Sequence, residues 1–166
     1  MTTADVPEVL ALERTLFPQD AWPESFFRDE LAHAEPAEAP HRASRRYWVA
    51  EDAGSGTQRP GIIAYAGMMC VLPLADVQTL AVAPAAQGRG LGTRLLGLIE
   101  AESRRRGAED LLLEVRADNP AAQRLYLRCG FEQIHQRPRY YPDGGEALIM
   151  RKHLQDPPPS SAANLR

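Results

Sequence analysis

The spacing of apolar residues near the start of the chain predicts two short helices. In the stretch "VPEVLALERTLF" they recur at the three- and four-residue intervals that place side chains on one helical face. Asp5 precedes this stretch as a capping residue, and Pro18 ends it. The stretch "WPESFFRDELAH" predicts a second helix, with Pro23 in its first turn. Residues 34–46, rich in Ala, Pro and charge, predict a mobile loop.

Further along the chain the pattern changes to that of strands alternating with two more helices. Three strands are predicted in "YWVAED", "GIIAYAGMMCVLP" and "DVQTLAVAP". A Leu-rich helix that ends near Gly107 follows, and then "DLLLEVR", whose nearly continuous apolar character is typical of a strand in the middle of a covered sheet. "NPAAQRLYLRCG" predicts a short helix capped by Asn119. "FEQIHQR" and "EALIMRKHL" predict the two final strands.

This order of elements predicts the fold class. Two helices, three strands, a helix, a strand, a helix and two strands indicate an α/β protein of the α+β kind, with a central mixed sheet and helices on both faces. A chain of 166 residues is long enough for one domain with a sizeable core, which we place at residues 1–154. Residues 155–166, "QDPPPSSAANLR", bury too little apolar surface to order themselves and are expected to be disordered.

Composition narrows the classes of partner. The net charge of −3 argues against a nucleic-acid binder and leaves room for a basic protein or peptide as substrate. The two cysteines, Cys70 and Cys129, fit no metal-ligand spacing and are expected to be free thiols, and the four histidines are scattered, so no metal site is predicted. The chain begins without a signal-like segment and has no apolar run of membrane-spanning length. We expect a cytoplasmic protein with no membrane partner.

A glycine-rich stretch, "QGRGLG" at residues 87–92, lies between a predicted strand and a predicted helix. Such a loop before a helix N-terminus is suited to bind phosphate. A Walker loop would need a lysine before Thr93, and a dinucleotide fingerprint would need G-x-G-x-x-G directly after the strand, although the acidic pair Glu109-Asp110 lies near the position of a ribose-binding residue. A strand–helix turn without a ligand is the further alternative.

The pattern Gln87-x-x-Gly90-x-Gly92 resembles the pyrophosphate loop of the GNAT N-acetyltransferases, which bind acetyl-CoA. The preceding strand "TLAVAP" and the following Leu-rich helix match that family as well. The resemblance implies the GNAT fold and acetyl-CoA as co-substrate, with no metal. The implied site is physically reasonable, because backbone N–H groups of residues 88–93 would converge on two phosphates at the positive end of a helix dipole.

Acetyl transfer to an amine needs a base for the amine and an acid for the leaving thiolate. Glu114 interrupts an apolar strand and could accept a proton, directly or through water; the alternative is a carboxylate that faces solvent or pairs with Arg116. Tyr126 could protonate the thiolate, or it is an amphipathic core tyrosine. Asn119 can cap its helix and also offer its amide to the pantetheine arm, and these two roles are compatible.

The run "LEVRADNPAAQRLYLRCGF", followed by "RYYPDGGEALIM", resembles the RimI family of ribosomal-protein-alanine N-acetyltransferases within the GNAT superfamily, from about residue 5 to residue 152. This resemblance implies acetylation of the N-terminal α-amine of a protein, in that family the N-terminal alanine of a small-subunit ribosomal protein. Two other functions stay open: an acetyltransferase for a small-molecule amine, and a non-catalytic acyl-CoA-binding module. Carried over by position, the catalytic residues are Glu114 as base and Tyr126 as proton donor, and the cofactor contacts are Leu80, Ala81, Val82, Gly88, Arg89, Gly90, Leu91, Gly92, Thr93 and Asn119.

The resemblance also implies details of geometry. The strand "TLAV" would splay from the next strand, so that pantetheine pairs with its free backbone edge. Tyr140 and Tyr141 would flank a peptide groove, or anchor their loop by aromatic packing. Family members begin with a strand before the first helix, for which this chain has no segment, so the edge strand is missing or the start lies upstream.

Overall fold

The computed structural model describes residues 1–34, 44–52 and 61–154. The predicted order of helices and strands is confirmed throughout these residues. In chain order the elements are α1 Val6–Leu16, α2 Glu24–Ala32, β1 Arg45–Glu51, β2 Ile62–Val71, β3 Leu74–Val82, α3 Leu91–Arg106, β4 Asp110–Arg116, α4 Pro120–Arg128, β5 Glu132–Arg137 and β6 Ala147–His153.

The strands form one mixed six-stranded sheet in the order β1-β2-β3-β4-β6-β5. β3 and β4 are parallel and are joined through α3, whereas the other neighbouring pairs are antiparallel. A parallel pair needs a crossover connection, and the Leu-rich helix supplies it. The predicted mixed sheet with helices on both faces is therefore confirmed.

Three details near the start of the chain differ from the prediction. Pro23, expected in the first turn of α2, is its N-cap in an extended conformation, so the helix begins at Glu24. Asp5 holds the N-cap position of α1 without capping it, because its carboxylate accepts hydrogen bonds from the backbone and hydroxyl of Thr2 instead. The loop predicted at 34–46 is too long, since Arg45 and Arg46 begin β1 by pairing with Met69 and Met68. Residues 35–43 of that loop, and the tail predicted to be disordered at 155–166, lie outside the described residues.

Two apolar clusters cover the two faces of the sheet. On one face α3 and α4 pack against the sheet, with Leu96, Ile99 and Leu111 fully or almost fully buried. On the other face α1 and α2 cover a smaller cluster that includes Phe27 and Tyr65. Within the described ranges, no helix is both long and apolar enough to span a bilayer. Helices therefore lie on both sides of the sheet, although β5 stays exposed along its length.

Strands β3 and β4 separate along part of their length. Their pairing runs from Leu74↔Asp110 to Val77↔Leu113 and then stops, although β3 continues to Val82 and β4 to Arg116. At this point β3 also contains an extra residue, because Val77 and Thr79 pair with consecutive residues of β2 and Gln78 is passed over. A bulge of this kind bends its strand. The bend turns β3 away from β4, and the predicted splay between these strands is confirmed.

Candidate active site

The opening between β3 and β4 leads into a cavity of about 700 Å³. Its walls come from β3, β4, the start of α4, the α1–α2 loop and the β5–β6 loop. The cavity brings together several residues that the sequence analysis assigned to the site: Leu80, Glu114, Asn119, Tyr126, Tyr140 and Tyr141. A volume of this size is typical of small-molecule and cofactor sites.

Glu114 lies on β4 at the wall of this cavity, with its side chain 36% exposed. Its Oε1 accepts a hydrogen bond from Nη1 of Arg137 at 2.9 Å. The pairing with Arg116 considered as an alternative is wrong, because the Arg116 guanidinium binds Asp20, Asp118 and Asp143. Glu114 is thus a charged group held at the cavity by a cation from β5.

A second carboxylate shares the same face of the sheet. Asp76 pairs in register with Leu112, two residues before Glu114, and it also lines the cavity. Burial, followed by the nearby charge of Glu114, raises the pKa of Asp76 above its ordinary value. The cavity therefore has an acidic floor, which favours a cationic group such as an ammonium.

Tyr126 projects from α4 into the core, as expected of a core tyrosine, and it also lines the cavity; its role as a proton donor stays a prediction. Its side chain is only 7% exposed, and its ring lies 5.9 Å from that of Phe131. Burial raises the pKa of Tyr126 to about 12, with smaller contributions from Tyr141 and Cys129. The phenol therefore keeps its proton at neutral pH, as a proton donor must.

Asn119 caps α4 as predicted. Its Oδ1 accepts a hydrogen bond from the backbone N–H of Ala122 at 3.0 Å. Gln123 closes the same turn from the other side by donating to the carbonyl oxygens of Arg116 and Ala117. Asn119 also lines the cavity, and its contact with a pantetheine arm stays a prediction.

The glycine loop lies beyond the end of β3 and does not line the cavity itself. Gly88 and Gly90 have φ values of 74° and 78°, which only glycine adopts without strain, and a Cβ at either position would meet nothing within 4 Å. Gln87 fixes the loop by donating from Nε2 to the carbonyl of Val82 at 3.2 Å. The backbone is thus held in a left-handed conformation with free space around it.

The start of α3 continues this loop. The first-turn N–H groups of Leu91, Gly92 and Thr93 have no intrahelical acceptor, as at the start of any helix. The N-cap is Gly90, which has no side chain that could accept a hydrogen bond from them. A Cβ on Gly92 would lie 3.1 Å from Leu125, so α3 and α4 approach each other closely at this point. Free backbone donors at a helix N-terminus are a donor set that fits a diphosphate.

Ala81 and Val82 do not line the cavity with their side chains. Ala81 is buried in the cluster under α1 and α2, and Val82 packs against the opposite cluster. Their backbones, however, belong to the part of β3 that has left β4, so that edge is not paired to a strand. Contacts of Leu80, Ala81 and Val82 with a cofactor, through the backbone edge, stay a prediction, as do those of Arg89 and the rest of residues 88–93.

One buried acid of the site was not predicted from the sequence. Glu13 of α1 lines the cavity, accepts a hydrogen bond from the backbone N–H of Trp22 at 3.0 Å and another from the hydroxyl of Tyr65, and burial raises its pKa. The sequence does indicate that Glu13 is buried, because it lies three residues after Leu10 and four after Val9, on the apolar face of the helix.

Arg116 is the second residue whose role was missed. It lies two residues after Glu114 on β4 and therefore on the same face of the strand, which the alternation of the strand does predict. Among the described residues, no group of three or more His, Cys, Asp or Glu side chains is arranged to hold a metal ion.

Comparison with known proteins agrees with this geometry. Residues 7–131 match the sequence profile of the acetyltransferase (GNAT) family. The chain is 38% identical over 163 residues to N-alpha-acetyltransferase RimI of Mycobacterium tuberculosis. This alignment covers 95% of the chain and 92% of the relative. The chain is also 37% identical over 161 residues to an uncharacterized protein of Mycobacterium leprae, and this match covers 93% of the chain but only 40% of that longer protein.

The structural comparison leads to the same family. The crystal structure of the ribosomal-protein-S18-alanine N-acetyltransferase from Escherichia coli superimposes with a TM-score of 0.73 and 29% sequence identity. The superposition covers 96% of this chain and 94% of that protein. With a splayed strand pair, a glycine loop at a helix N-terminus and a family match over most of its length, the chain belongs to the GNAT family of acetyltransferases.

Proposed function

We propose that the protein transfers the acetyl group of acetyl-CoA to the N-terminal α-amine of a protein, with the N-terminal alanine of a small-subunit ribosomal protein as its substrate. The observation that carries the proposal is the placement of Glu114 and Tyr126 in one cavity at the splay of β3 and β4. The names of the Mycobacterium tuberculosis and Escherichia coli relatives support the choice of an N-terminal amine and of a ribosomal protein. Such a substrate places the activity in the cytoplasm.

The donor side of the site extends from the glycine loop to the cavity. The backbone N–H groups of residues 88–93 hold the diphosphate of acetyl-CoA at the N-terminus of α3. The backbone edge of β3 at Leu80, Ala81 and Val82 pairs with the pantetheine arm, and Asn119 contacts the arm from the start of α4. These contacts place the thioester in the cavity between Glu114 and Tyr126, so the binding energy of the cofactor is used to position its reacting carbon.

The two side chains then complete the transfer. Glu114 accepts a proton from the substrate ammonium, directly or through water, and the free amine attacks the thioester carbonyl. The carbon–sulfur bond breaks, Tyr126 donates its phenolic proton to the departing thiolate sulfur, and the second proton lost by the nitrogen returns the phenol to its neutral form through water. Backbone N–H groups of β3 near the thioester stabilise the negative charge that develops on the carbonyl oxygen.

The acceptor side favours an α-amine over a lysine side chain for a simple reason. An α-amino group has a pKa of about 8, roughly two units below that of lysine, so a larger fraction is unprotonated at neutral pH. The acidic cavity walls at Asp76, Glu114 and Glu13 attract the ammonium form before it is deprotonated. Tyr140 and Tyr141, on the β5–β6 loop at the cavity wall, are placed to pack against the first residues of a peptide.

An acetylation assay on short peptides tests the proposal. Peptides that begin with Ala, Ser, Gly or Met are compared with a peptide whose α-amine is blocked and whose only free amine is a lysine, and with a polyamine. We expect acetylation of the free α-amine, with the Ala peptide preferred. Modification of the lysine peptide or the polyamine alone would overturn the proposal in favour of a different amine acceptor, and failure to bind acetyl-CoA in calorimetry would overturn the assignment of the donor site.

A further inference from the structure

One guanidinium at the edge of the cavity connects three separate segments of the chain. Nη1 of Arg116 lies 2.8 Å from Oδ2 of Asp20 in the α1–α2 loop, and Nη2 lies 2.6 Å from Oδ2 of Asp143 in the β5–β6 loop. Nε and Nη2 also bond the carboxylate of Asp118, just after β4, at 3.0 and 3.2 Å. Arg116 is the last residue of β4, so the two distant loops are both tied to the end of that strand.

Aromatic packing strengthens the connection to the β5–β6 loop. The Arg116 guanidinium lies 4.5 Å from the centre of the Tyr141 ring, and Tyr141 packs edge to face on Tyr140 at 5.2 Å. Asp143 also accepts a hydrogen bond from the backbone N–H of Gly145 at 2.9 Å, which fixes the turn that carries both tyrosines. The position of the aromatic pair is thus set by its contact with one arginine.

We propose that Arg116 is a positioning residue for the acceptor substrate, which fastens the α1–α2 and β5–β6 loops to the end of β4 and so fixes the geometry of the acceptor side of the cavity. This inference rests on the proposed function for the identity of the acceptor. Arg116 does not itself take part in the transfer; it acts through Asp20, Asp143 and Tyr141, which line the cavity or hold its walls.

The charge balance explains why the loops depend on this one side chain. Three carboxylates meet one guanidinium, so removal of the cation leaves three negative charges that repel one another. Oδ1 of Asp20 is buried and has no hydrogen-bond partner among the described residues, so the contact with Arg116 is what compensates the burial of that carboxylate. Without Arg116, the loop carrying Asp20 is expected to move until the carboxylate reaches water.

Lysine cannot replace arginine fully at this position. A guanidinium offers five donors in a planar fork, whereas an ammonium is a compact charge with three donors and stacks less well on a phenol ring. The Arg116 side chain uses Nε, Nη1 and Nη2 at once, in three directions. Arg116→Lys should therefore keep part of the charge balance and lose part of the geometry.

Most of the donor side of the site makes no contact with this side chain. The turn that carries Asn119 is held by bonds from Gln123 to the backbone carbonyls of Arg116 and Ala117, which a substitution of the Arg116 side chain leaves in place. None of the described contacts of the guanidinium reaches the glycine loop or the free end of β3. Loss of Arg116 should thus impair binding of the peptide and spare binding of acetyl-CoA.

Steady-state kinetics of Arg116→Met and Arg116→Lys with an N-terminal alanine peptide test this separation. We expect the KM for peptide of Arg116→Met to rise about ten- to a hundredfold, since small displacements of a positioned substrate have effects of that size. The Kd of acetyl-CoA in calorimetry should stay within about twofold, and Arg116→Lys should lie between the wild type and Arg116→Met. Arg151→Met is the matched control, because Arg151 on β6 pairs at 2.8 Å with Glu132 on the edge strand β5 and lies outside the cavity.

Hydrogen exchange without substrate supplies a readout that does not depend on activity. Arg116→Met should speed exchange in residues 17–23 and 138–146 and leave α3 and β2 protected. Asp20→Asn should speed exchange mainly in residues 17–23, and Asp143→Asn mainly in residues 138–146, because each variant releases one loop. These two variants test the positioning role if Arg116→Met does not fold.

The outcomes separate the two proposals. If the wild type acetylates no N-terminal peptide, the proposed function fails, whatever the exchange data show. If the wild type is active and Arg116→Met keeps its KM for peptide, or exchange in both loops is unchanged, the role of Arg116 in positioning is overturned. A rise in the Kd of acetyl-CoA as large as the rise in the KM for peptide would also overturn it.

Discussion

Nη1 of Arg137 lies 2.9 Å from Oε1 of Glu114, reaching from β5 past β6 to the carboxylate on β4. This contact holds the proposed base at the cavity wall while more than a third of the Glu114 side chain stays accessible. Arg137 also lies 5.6 Å from the centre of the Tyr140 ring, so the cation connects the base to the acceptor side of the site. Arg137 therefore contacts both the proposed base and the aromatic pair that Arg116 also contacts.

The first prediction concerns Glu114 itself. Glu114→Gln keeps the size of the side chain and removes the proton acceptor, so kcat for an N-terminal alanine peptide at neutral pH should fall by about 10²–10⁴-fold. The Kd of acetyl-CoA, measured by calorimetry, should not change, because Glu114 is not among the proposed contacts of the cofactor. Glu132→Gln is the control, since Glu132 also pairs with an arginine, at 2.8 Å, but on the outer strand. Unchanged turnover in Glu114→Gln would remove this residue from the mechanism.

The second prediction concerns Tyr126 and pH. Burial raises the pKa of Tyr126 to about 12, so the proton donor stays protonated up to pH values well above the ordinary pKa of 10. The wild-type rate should therefore show no decline near pH 10 that is caused by loss of this proton, as long as the protein stays folded. Tyr126→Phe should lower kcat more than it raises the KM for acetyl-CoA, and an ultraviolet titration should lose one tyrosine that ionises near pH 12. A kcat equal to that of the wild type at every pH would contradict the assignment.

A third prediction separates backbone conformation from helix propensity within the donor loop. Gly90 has a φ of 78°, a value that costs an alanine about 1–2 kcal/mol. The backbone N–H groups of its loop, residues 88–93, are proposed to face the diphosphate. Gly90→Ala should lower Tm and raise the Kd of acetyl-CoA. Gly97→Ala, in the middle of α3, is the matched control: a Cβ there meets nothing within 4 Å, and alanine in place of glycine in a helix should stabilise the fold by about 0.5–1 kcal/mol.

Thermal melts and calorimetry measure both effects for this pair of variants. The opposite signs of the two Tm shifts would show that the glycine at residue 90 is needed for its backbone conformation. A Kd of acetyl-CoA for Gly90→Ala that equals the wild-type value would contradict a role of this loop in binding the diphosphate.

Local patterns were sufficient to predict the elements of this fold. The helices lie where apolar spacing placed them, although α2 begins one residue after Pro23, and Gly107, in the left-handed conformation at φ 87°, ends α3 as predicted. The cap at Asn119 could likewise be assigned, because capping depends on residues a few positions apart. Most helices and strands could therefore be predicted from interactions between residues that are close in sequence.

The connections within the site could not be predicted in the same way. Arg116 and Asp20 are 96 residues apart, and Arg137 and Glu114 are 23 residues apart on strands that are not neighbours. No local pattern encodes which acid meets which base across such distances. The bulge at Gln78 is similar, because it is defined by the pairing of β3 with β2 and leaves no mark in the apolar alternation that would distinguish it from a regular strand.

The last prediction concerns stability at the C-terminal end of α3, away from the cavity. Burial alone would raise the pKa of Glu102, but hydrogen bonds from Arg105 and Arg106 and the charge of Arg46 lower it to about 2, from an ordinary 4.5. Because the folded state favours the charged form, this stabilisation is present above pH 4.5 and is lost as the pH falls toward 2. Glu102→Gln should therefore lower Tm by several degrees at pH 7, since each kcal/mol of lost stability lowers Tm by roughly 2–4 °C in a domain of this size. The difference in Tm from the wild type should shrink as the pH falls from 4.5 to 2. Thermal melts over this pH range check the prediction, with the exposed Glu109→Gln as control; a difference in Tm that is constant with pH would show that Glu102 acts through packing and not through its charge.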